Sequence, residues 1–312
     1  MGDPPAPLRA GDPASVGSYR LRGLLGVGGM GTVYLAEAPD GRRVALKVIN
    51  PALHGDPMFR HRFAAEAAAA SRVAGFCTAR VLDVALDGPV PHLVTEYVAG
   101  PSLHDYATAN GPLAGHVEAV AVGVAAALTA IHAVGLVHAD LSPRNVLLSP
   151  FGPKVIDFGV ARLLGQSGGH HGGAGPNFGT PGWLAPEQVR GWPPSQASDV
   201  YAWGLLVAWA GTGRMPLPEA AFNPGDTVEP DLTGLDTALA DVVRRALRAD
   251  PDQRPTAQQV LLALVGQDDP AAAQVAATVR GSAPAQPRPG RRDRTAFAPG
   301  AAAVRPQSPP AP

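Results

Sequence analysis

Lysine is almost missing from this chain. Only Lys47 and Lys154 occur, and arginine supplies the rest of the 25 basic residues. Where arginine is the default cation, a retained lysine points to a place that needs a compact ammonium rather than a planar guanidinium. Cysteine is scarcer still: Cys77 stands alone. That excludes a disulfide framework within the chain and fits a reducing, cytoplasmic compartment. A charge of one sign is also lacking. The formal net charge is -1 over 312 residues, so nothing points to a nucleic-acid partner. No apolar run reaches the roughly 18 residues that cross a bilayer. The nearest, Val117 to Val137, carries Glu118 and His132 and is expected to be a buried core helix. Met1 to Gly17 is rich in Pro, Gly and Ala and has no apolar centre, so it is no signal peptide, and no segment reads as a membrane anchor.

What is present divides unevenly along the chain. Residues 1–17 are expected to be a disordered leader, 18–266 one domain, and 267–312 a disordered Ala/Pro/Arg-rich tail. The tail lacks the apolar content to repay ordering entropy. From Tyr19 to Val98, short β-like runs alternate with turn signals such as Pro39-Asp40-Gly41. Asp56-Pro57 is a helix start, with Asp as N-cap and Pro at the first position, ahead of an Ala-rich helix from Phe59 to Val73. Strands are expected near Val81–Leu86 and His92–Tyr97. Beyond Ser102 the pattern is helical: Leu113 to Val134, stopped by Gly135, then about Ala197–Ala210, Asp236–Arg248 and Thr256–Leu264. Short strands are expected at Leu136–Val137, Val146–Leu148 and Lys154–Ile156, and a Gly/His/Ser-rich loop from Leu164 to Phe178. The fold class is therefore α+β: a small β-rich lobe with one main helix (18–98) and a larger, mostly helical lobe (99–266).

Four motifs carry the chemistry. Gly26-Val27-Gly28-Gly29-Met30-Gly31 fits G-x-G-x-x-G, a weak signal alone because dinucleotide-binding folds share it. Here the loop runs into Thr32-Val33-Tyr34-Leu35, which is β-like, so it is expected as a flap between antiparallel strands with its N–H groups over phosphate oxygens. Val44-Ala45-Leu46-Lys47 places a lysine on the next strand, and Glu66, the one acid in the following helix, is its natural partner. His138-Ala139-Asp140-Leu141-Ser142-Pro143-Arg144-Asn145 follows the long helix, and Asp157-Phe158-Gly159 comes 12 residues after Asn145. One acid to accept a hydroxyl proton and two metal ligands would suffice for phosphoryl transfer, which chiefly needs positioning and charge neutralisation.

With these four in order, the chain resembles the protein kinase family, and more narrowly bacterial Hanks-type serine/threonine kinases, from about Tyr19 to Val265. Gly179-Thr180-Pro181, Ala185-Pro186-Glu187, Ser198 to Gly204 and Asp250 to Pro255 extend the likeness. The resemblance implies two partners, ATP and Mg2+, and protein substrates that it does not name. It implies Asp140 as base, Lys47 and Glu66 at the phosphates, and Asn145 and Asp157 as metal ligands. Leu25 to Gly31, Val33, Ala45, Leu147 and the hinge from Glu96 to Val98 would surround the nucleotide, with Thr95 as a small gatekeeper. It also implies that Glu187 pairs with Arg254 and that Asp199 braces the catalytic loop.

The chain departs from the family in three places. Ala139 replaces the arginine that reads phosphate on the activation loop, and the only hydroxyl between Leu164 and Phe178 is Ser167. Activity is therefore expected not to depend on loop phosphorylation. Ser142 replaces the lysine that faces the γ-phosphate, and Arg144, two residues on, is expected to supply that charge. Gly213 to Leu235 is rich in Pro, Gly and Asp, so the helix usual there is expected to be short or missing. His170-His171 are expected to be solvated rather than metal-bound, and His138 to be a core histidine. No role is assigned to His104 or His132. Two alternatives stay open at this point: a nucleotide-binding pseudokinase scaffold, and a small-molecule phosphotransferase of the aminoglycoside-kinase type.

Overall fold

The computed structural model describes residues 5–29, 31–50, 57–86, 88–158, 180–218 and 228–266. Met30, Asp56, Gly159, the loop from Leu164 to Phe178 with Ser167 and His170-His171, and the tail 267–312 lie outside the described residues.

Alternation of apolar residues builds the first lobe. Strands β1 (Ser15–Val16), β2 (Tyr19–Gly28), β3 (Gly31–Glu37), β4 (Arg43–Ile49), β5 (Val81–Ala85) and β6 (His92–Glu96) form an antiparallel sheet in the order β1-β2-β3-β4-β6-β5. Side chains alternate between faces along a strand. In β4, Val44 and Leu46 join Val16, Leu21, Tyr34 and Val94 in one core. Ala45 and Lys47 are thereby left to the opposite face. Register then aligns Gly26, Val33, Lys47 and Leu93 in one row across the sheet, and Leu35, Ala45, Thr95 and Val81 in the next. Helix α1 (Pro57–Ala70) lays Phe63, Ala67 and Ala70 against Ile49, Val81 and Leu93.

Residues 5–17 do not behave as the disordered leader that their composition suggests. Ala6 and Leu24 exchange backbone hydrogen bonds at 3.0 and 2.7 Å, and β1 pairs with β2. The Tyr34 hydroxyl donates to Asp12 Oδ1 at 2.8 Å. Val16 is buried, and Leu8 packs on the same core. Two well-placed apolar anchors outweigh a Pro/Gly/Ala-rich composition.

The second lobe is built around two nearly all-apolar helices, α3 (Val117–Ala133) and α5 (Gln196–Thr212). Leu128 and Ile131 of α3, with Trp203, Leu205 and Leu206 of α5, are fully buried, and Trp203 Nε1 donates to Ala121 O at 3.0 Å. Around them lie α2 (Leu103–Asn110), α4 (Pro186–Val189), α6 (Thr237–Ala246) and α7 (Ala257–Leu264). The expected helix from Leu113 begins instead with a 3-10 turn, Ala114–His116. Strands β7 (Val146–Ser149) and β8 (Gly152–Val155) form a hairpin seated on α3. The seat depends on Gly123, where a Cβ would lie 2.3 Å from Pro153 Cγ. Leu136–Val137 is not a strand, because the amides that follow it go to a side chain, as described below. Between Gly213 and Leu235 the described residues hold no helix. No helix among the described residues is long and apolar enough to cross a membrane.

Candidate active site

One buried carboxylate shapes the loop between α3 and β7. Asp199, in the first turn of α5, is 2% exposed. Its Oδ2 accepts from His138 N at 2.7 Å and from His132 Nε2 at 2.8 Å, and its Oδ1 accepts from Ala139 N at 2.9 Å. These bonds hold Ala139 at φ 68, a left-handed conformation that non-glycine residues avoid. The bend turns Asp140 outward. His138 is fully buried; its Nε2–H donates to Ile156 O at 3.1 Å and its Nδ1 accepts from Asp140 N at 3.3 Å. Burial holds its pKa below the usual histidine value, although the carboxylates of Asp199, Asp140 and Asp157 pull the other way. His138 is thus a neutral prop for the Asp140 backbone, the core role expected of it.

Asp140 is held from two sides. Asn145 Nδ2 donates to Asp140 O at 2.8 Å and to Oδ2 at 3.2 Å, while Thr180 N and Oγ1 donate to Oδ1 at 2.9 and 2.8 Å. With the Asn145 amide nitrogen spent on Asp140, its Oδ1 is left as the oxygen for a cation. Asp157 also sits in the left-handed region, at φ 60, and its Oδ2 meets Lys47 Nζ at 3.1 Å. A strained backbone at an acid is a recurrent mark of a functional site. Lys47, 8% exposed, therefore joins the sheet lobe to the loop after β8. Glu66 is half-buried on α1, which packs against β5.

The residues expected around the nucleotide lie on or beside β2, β3, β4 and β6 and on the hairpin strand β7. Gly28 opposes Gly31 where β2 turns into β3, so the loop is the expected flap. A Cβ at Gly26, Gly28 or Gly29 would meet nothing within 4 Å, so the chain's own packing does not require glycine there. A ligand lying against the backbone would require it. Gly31 differs: at φ 146, its Cβ would lie 1.9 Å from Val48 O, and the fold itself demands glycine. Leu25 and Val27 are exposed, Val33, Ala45, Thr95, Glu96 and Leu147 half-buried, and Val98 buried. Ala45 and Thr95 are paired neighbours, and Leu147 bridges to Ser102.

Lys154 shows what the second lysine does. Its Nζ lies 3.1 Å from both carboxylate oxygens of Glu96, 2.9 Å from Gly75 O and 3.4 Å from Thr78 O. A compact ammonium satisfies several oxygens converging from three residues, whereas a planar fork would not. The rarity of lysine was the signal for this tether, but it did not reveal the partner.

Two arginines find different partners. Arg254 and Glu187 pair bidentately at 2.7 and 2.8 Å in the core, as expected. Arg144 is exposed and donates to His104 Nε2 of α2 at 3.2 Å. No ion pair joins it to Asp140 among the described residues, and Ser142 is buried with its Oγ unpartnered. Histidine reasoning also missed His132 and His104, whose partners lie 67 and 40 residues away.

A family model for the protein kinase domain matches residues 19–263. The chain belongs to the protein kinase domain family. Among curated relatives, this kinase domain is 43% identical over 265 residues to "Probable serine/threonine-protein kinase PkwA" of Thermomonospora curvata, covering 83% of this chain and 35% of that protein. It is 42% identical over 252 residues to "Serine/threonine-protein kinase AfsK" of Streptomyces coelicolor, covering 78% and 31%. The chain thus spans about a third of the length of these relatives. Among solved structures, the Mycobacterium tuberculosis PknI kinase domain superposes with a TM-score of 0.62 at 28% identity, covering 83% of this chain and 99% of that one. The likeness extends the sheet lobe and helical lobe described above to known kinase domains.

Proposed function

We propose that this kinase domain is an ATP- and Mg2+-dependent serine/threonine protein kinase. It transfers the γ-phosphoryl group to hydroxyls of protein substrates. The observation that carries the reading is a pair of contacts made by the motif residues, Asn145 with Asp140 at 3.2 Å and Lys47 with Asp157 at 3.1 Å, the second joining the sheet lobe to the loop after β8. Asp140 takes the hydroxyl proton as the oxygen–phosphorus bond forms and the bond to the leaving ADP breaks. Lys47, with Glu66, holds the α- and β-phosphates. Leu25 to Gly31, Val33, Ala45, Thr95, Glu96, Val98 and Leu147 enclose the nucleotide. The serine/threonine class follows the relatives' names.

The donor set suits magnesium. Asn145 Oδ1 and the Asp157 carboxylate are hard oxygen ligands, and two protein ligands plus phosphate oxygens is the usual way this ion is held. Among the described residues, no group of three or more His, Cys, Asp and Glu is placed to hold a metal by itself. Bound there, the ion would neutralise phosphate charge.

Phosphorylation of the activation loop is not required in this reading, because Ala139, 6% exposed, offers no charge to a loop phosphate. Ser167→Ala should keep most of the activity; loss of most of it contradicts this part. A second reading, a nucleotide-binding scaffold without transfer, is favoured by the buried Ser142 at the lysine position. Radiolabelled ATP with Mg2+ and a serine-, threonine- or tyrosine-containing protein separates the readings. Label on serine or threonine, abolished by chelation, supports the kinase; ATP binding with no label supports the scaffold.

A further inference from the structure

A closed circuit of contacts begins and ends at Asp140. Thr180 donates to Asp140 Oδ1 at 2.8 Å, and Trp183 N donates to Thr180 O at 3.0 Å. The Trp183 ring meets Trp209 edge-on, with centroids 5.9 Å apart at 84°. Trp209 stacks on His104 at 6.3 Å and 11°. His104 Nε2 accepts from Arg144 at 3.2 Å, and Asn145, next along the chain, returns to Asp140. The circuit crosses four segments: the catalytic loop, the Gly-Thr-Pro turn, the end of α5 and the start of α2. A substrate hydroxyl that reaches Asp140 must bring its neighbouring residues over this ring.

The ring has a definite chemistry. Apart from Asp140 it holds no carboxylate; it holds one guanidinium, one imidazole and two half-buried tryptophans. Asp105, beside His104, acts on Arg144 by its charge but accepts its hydrogen bonds from other groups. Its Oδ2 accepts from Ser102 Oγ at 2.7 Å, and its Oδ1 lies 3.2 Å from His104 Nδ1. With Nδ1–H committed to Asp105, Nε2 presents its lone pair to Arg144. The pair Asp105–His104 therefore aims the guanidinium. One of the five Arg144 N–H groups is used, and among the described residues His104 is its only hydrogen-bond partner. A guanidinium held at one corner, exposed and with no carboxylate hydrogen-bonded to it among the described residues, is matched to a carboxylate or phosphate.

Resting on the kinase reading above, we infer that Arg144, aimed by His104, is a specificity residue. It selects protein substrates carrying an anionic side chain close to the phosphoacceptor, with Trp183 and Trp209 as the apolar wall beside that group. This reassigns the exposed arginine of the catalytic loop from the nucleotide to the protein substrate.

The test is a set of serine peptides with one neighbouring position at a time changed to Glu, phosphoserine, Ala or Arg. The readout is the ratio of kcat/KM between charged and neutral peptides. Wild type should favour an anionic peptide by roughly five- to tenfold at its best position. Glu and phosphoserine arms show whether an ordinary acid or a prior phosphorylation supplies the anion. Arg144→Ala should bring the ratio to about one, and Arg144→Glu should shift preference to Arg-containing peptides. His104→Ala, which releases the aim, should lower the ratio by about half. If wild type phosphorylates all peptides equally, the inference is overturned while the kinase reading stands. If Arg144→Ala lowers kcat on every peptide and leaves the ratio unchanged, Arg144 serves the nucleotide and the inference is again overturned. If no peptide and no protein is phosphorylated, it is the kinase reading that fails.

Discussion

Asp199→Ala tests how the fold positions Asp140, the proposed base. The Asp199 carboxylate accepts three hydrogen bonds at 2.7 to 2.9 Å, two of them from the backbone amides of His138 and Ala139. A buried hydrogen bond to a charged group contributes about 1.5–3 kcal/mol, so the two backbone bonds together hold roughly 3–6 kcal/mol. Against them stands the left-handed conformation of Ala139, which costs about 1–2 kcal/mol. Without the carboxylate the balance reverses. Ala139 relaxes towards negative φ, and Asp140 moves with it. A displacement of about 1 Å at a reacting group costs on the order of 100-fold in rate. Asp199→Ala should therefore lower kcat by about 100-fold or more, with ATP KM changed little. It should also lower Tm by roughly 2–20 °C, the net loss of about 1–5 kcal/mol taken at about 2–4 °C per kcal/mol for a domain of this size. Ala139→Gly, which keeps the bonds and removes the strain, should keep kcat and leave Tm equal or higher. Steady-state kinetics and thermal unfolding on the same preparations decide it. A folded Asp199→Ala protein with kcat within about threefold of wild type would refute the reasoning, because it would mean that the loop holds its own shape.

Glu187→Ala should cost about 3–5 kcal/mol, because it strands a fully buried guanidinium. All five Arg254 N–H donors are engaged, by Glu187 and by the carbonyls of Arg248, Ala197 and Ala249, and denaturant unfolding reads the loss. His138 adds a pH dependence. Burial depresses its folded pKa, so below about 6.5 the unfolded chain binds a proton that the native state refuses. Stability should fall towards acid by up to about 1.4 kcal/mol per pH unit from this residue, and not at all above that range. In urea titrations His138→Asn should flatten that limb; an unchanged slope contradicts the assignment. Gly31→Ala should destabilise by about 3 kcal/mol through the Val48 clash and positive φ. Gly28→Ala, with open space around it, should leave Tm alone and raise the KM for ATP.

The fold was legible wherever local chemistry agreed with packing. Period-two apolar residues marked the strands around Lys47, Gly135 marked the end of α3, and the ordered motifs marked the catalytic loop. The misses share a cause. Leu136–Val137 looks like a strand because its side chains are apolar, but the amides that follow are claimed by an acid about 60 residues away. The leader looks disordered because composition averages away Leu8 and Val16. Arg144 was legible as a charge on the loop after α3, but spacing along the chain says nothing about His104. Lys154 was conspicuous by type, yet its partners lie 58 to 79 residues distant. Sequence spacing locates groups on one element and is silent about the side chain that arrives from another.

The central claim is that Asp140 accepts the hydroxyl proton in phosphoryl transfer from ATP. The direct measurement pairs equilibrium ATP–Mg2+ binding with transfer of radiolabelled phosphate to a serine-containing protein, for wild type and for Asp140→Asn. The account predicts transfer by wild type, a loss of about 100-fold or more in Asp140→Asn, and equal ATP affinity in both. Wild type that binds ATP and transfers nothing, or Asp140→Asn that transfers as fast as wild type, would contradict it.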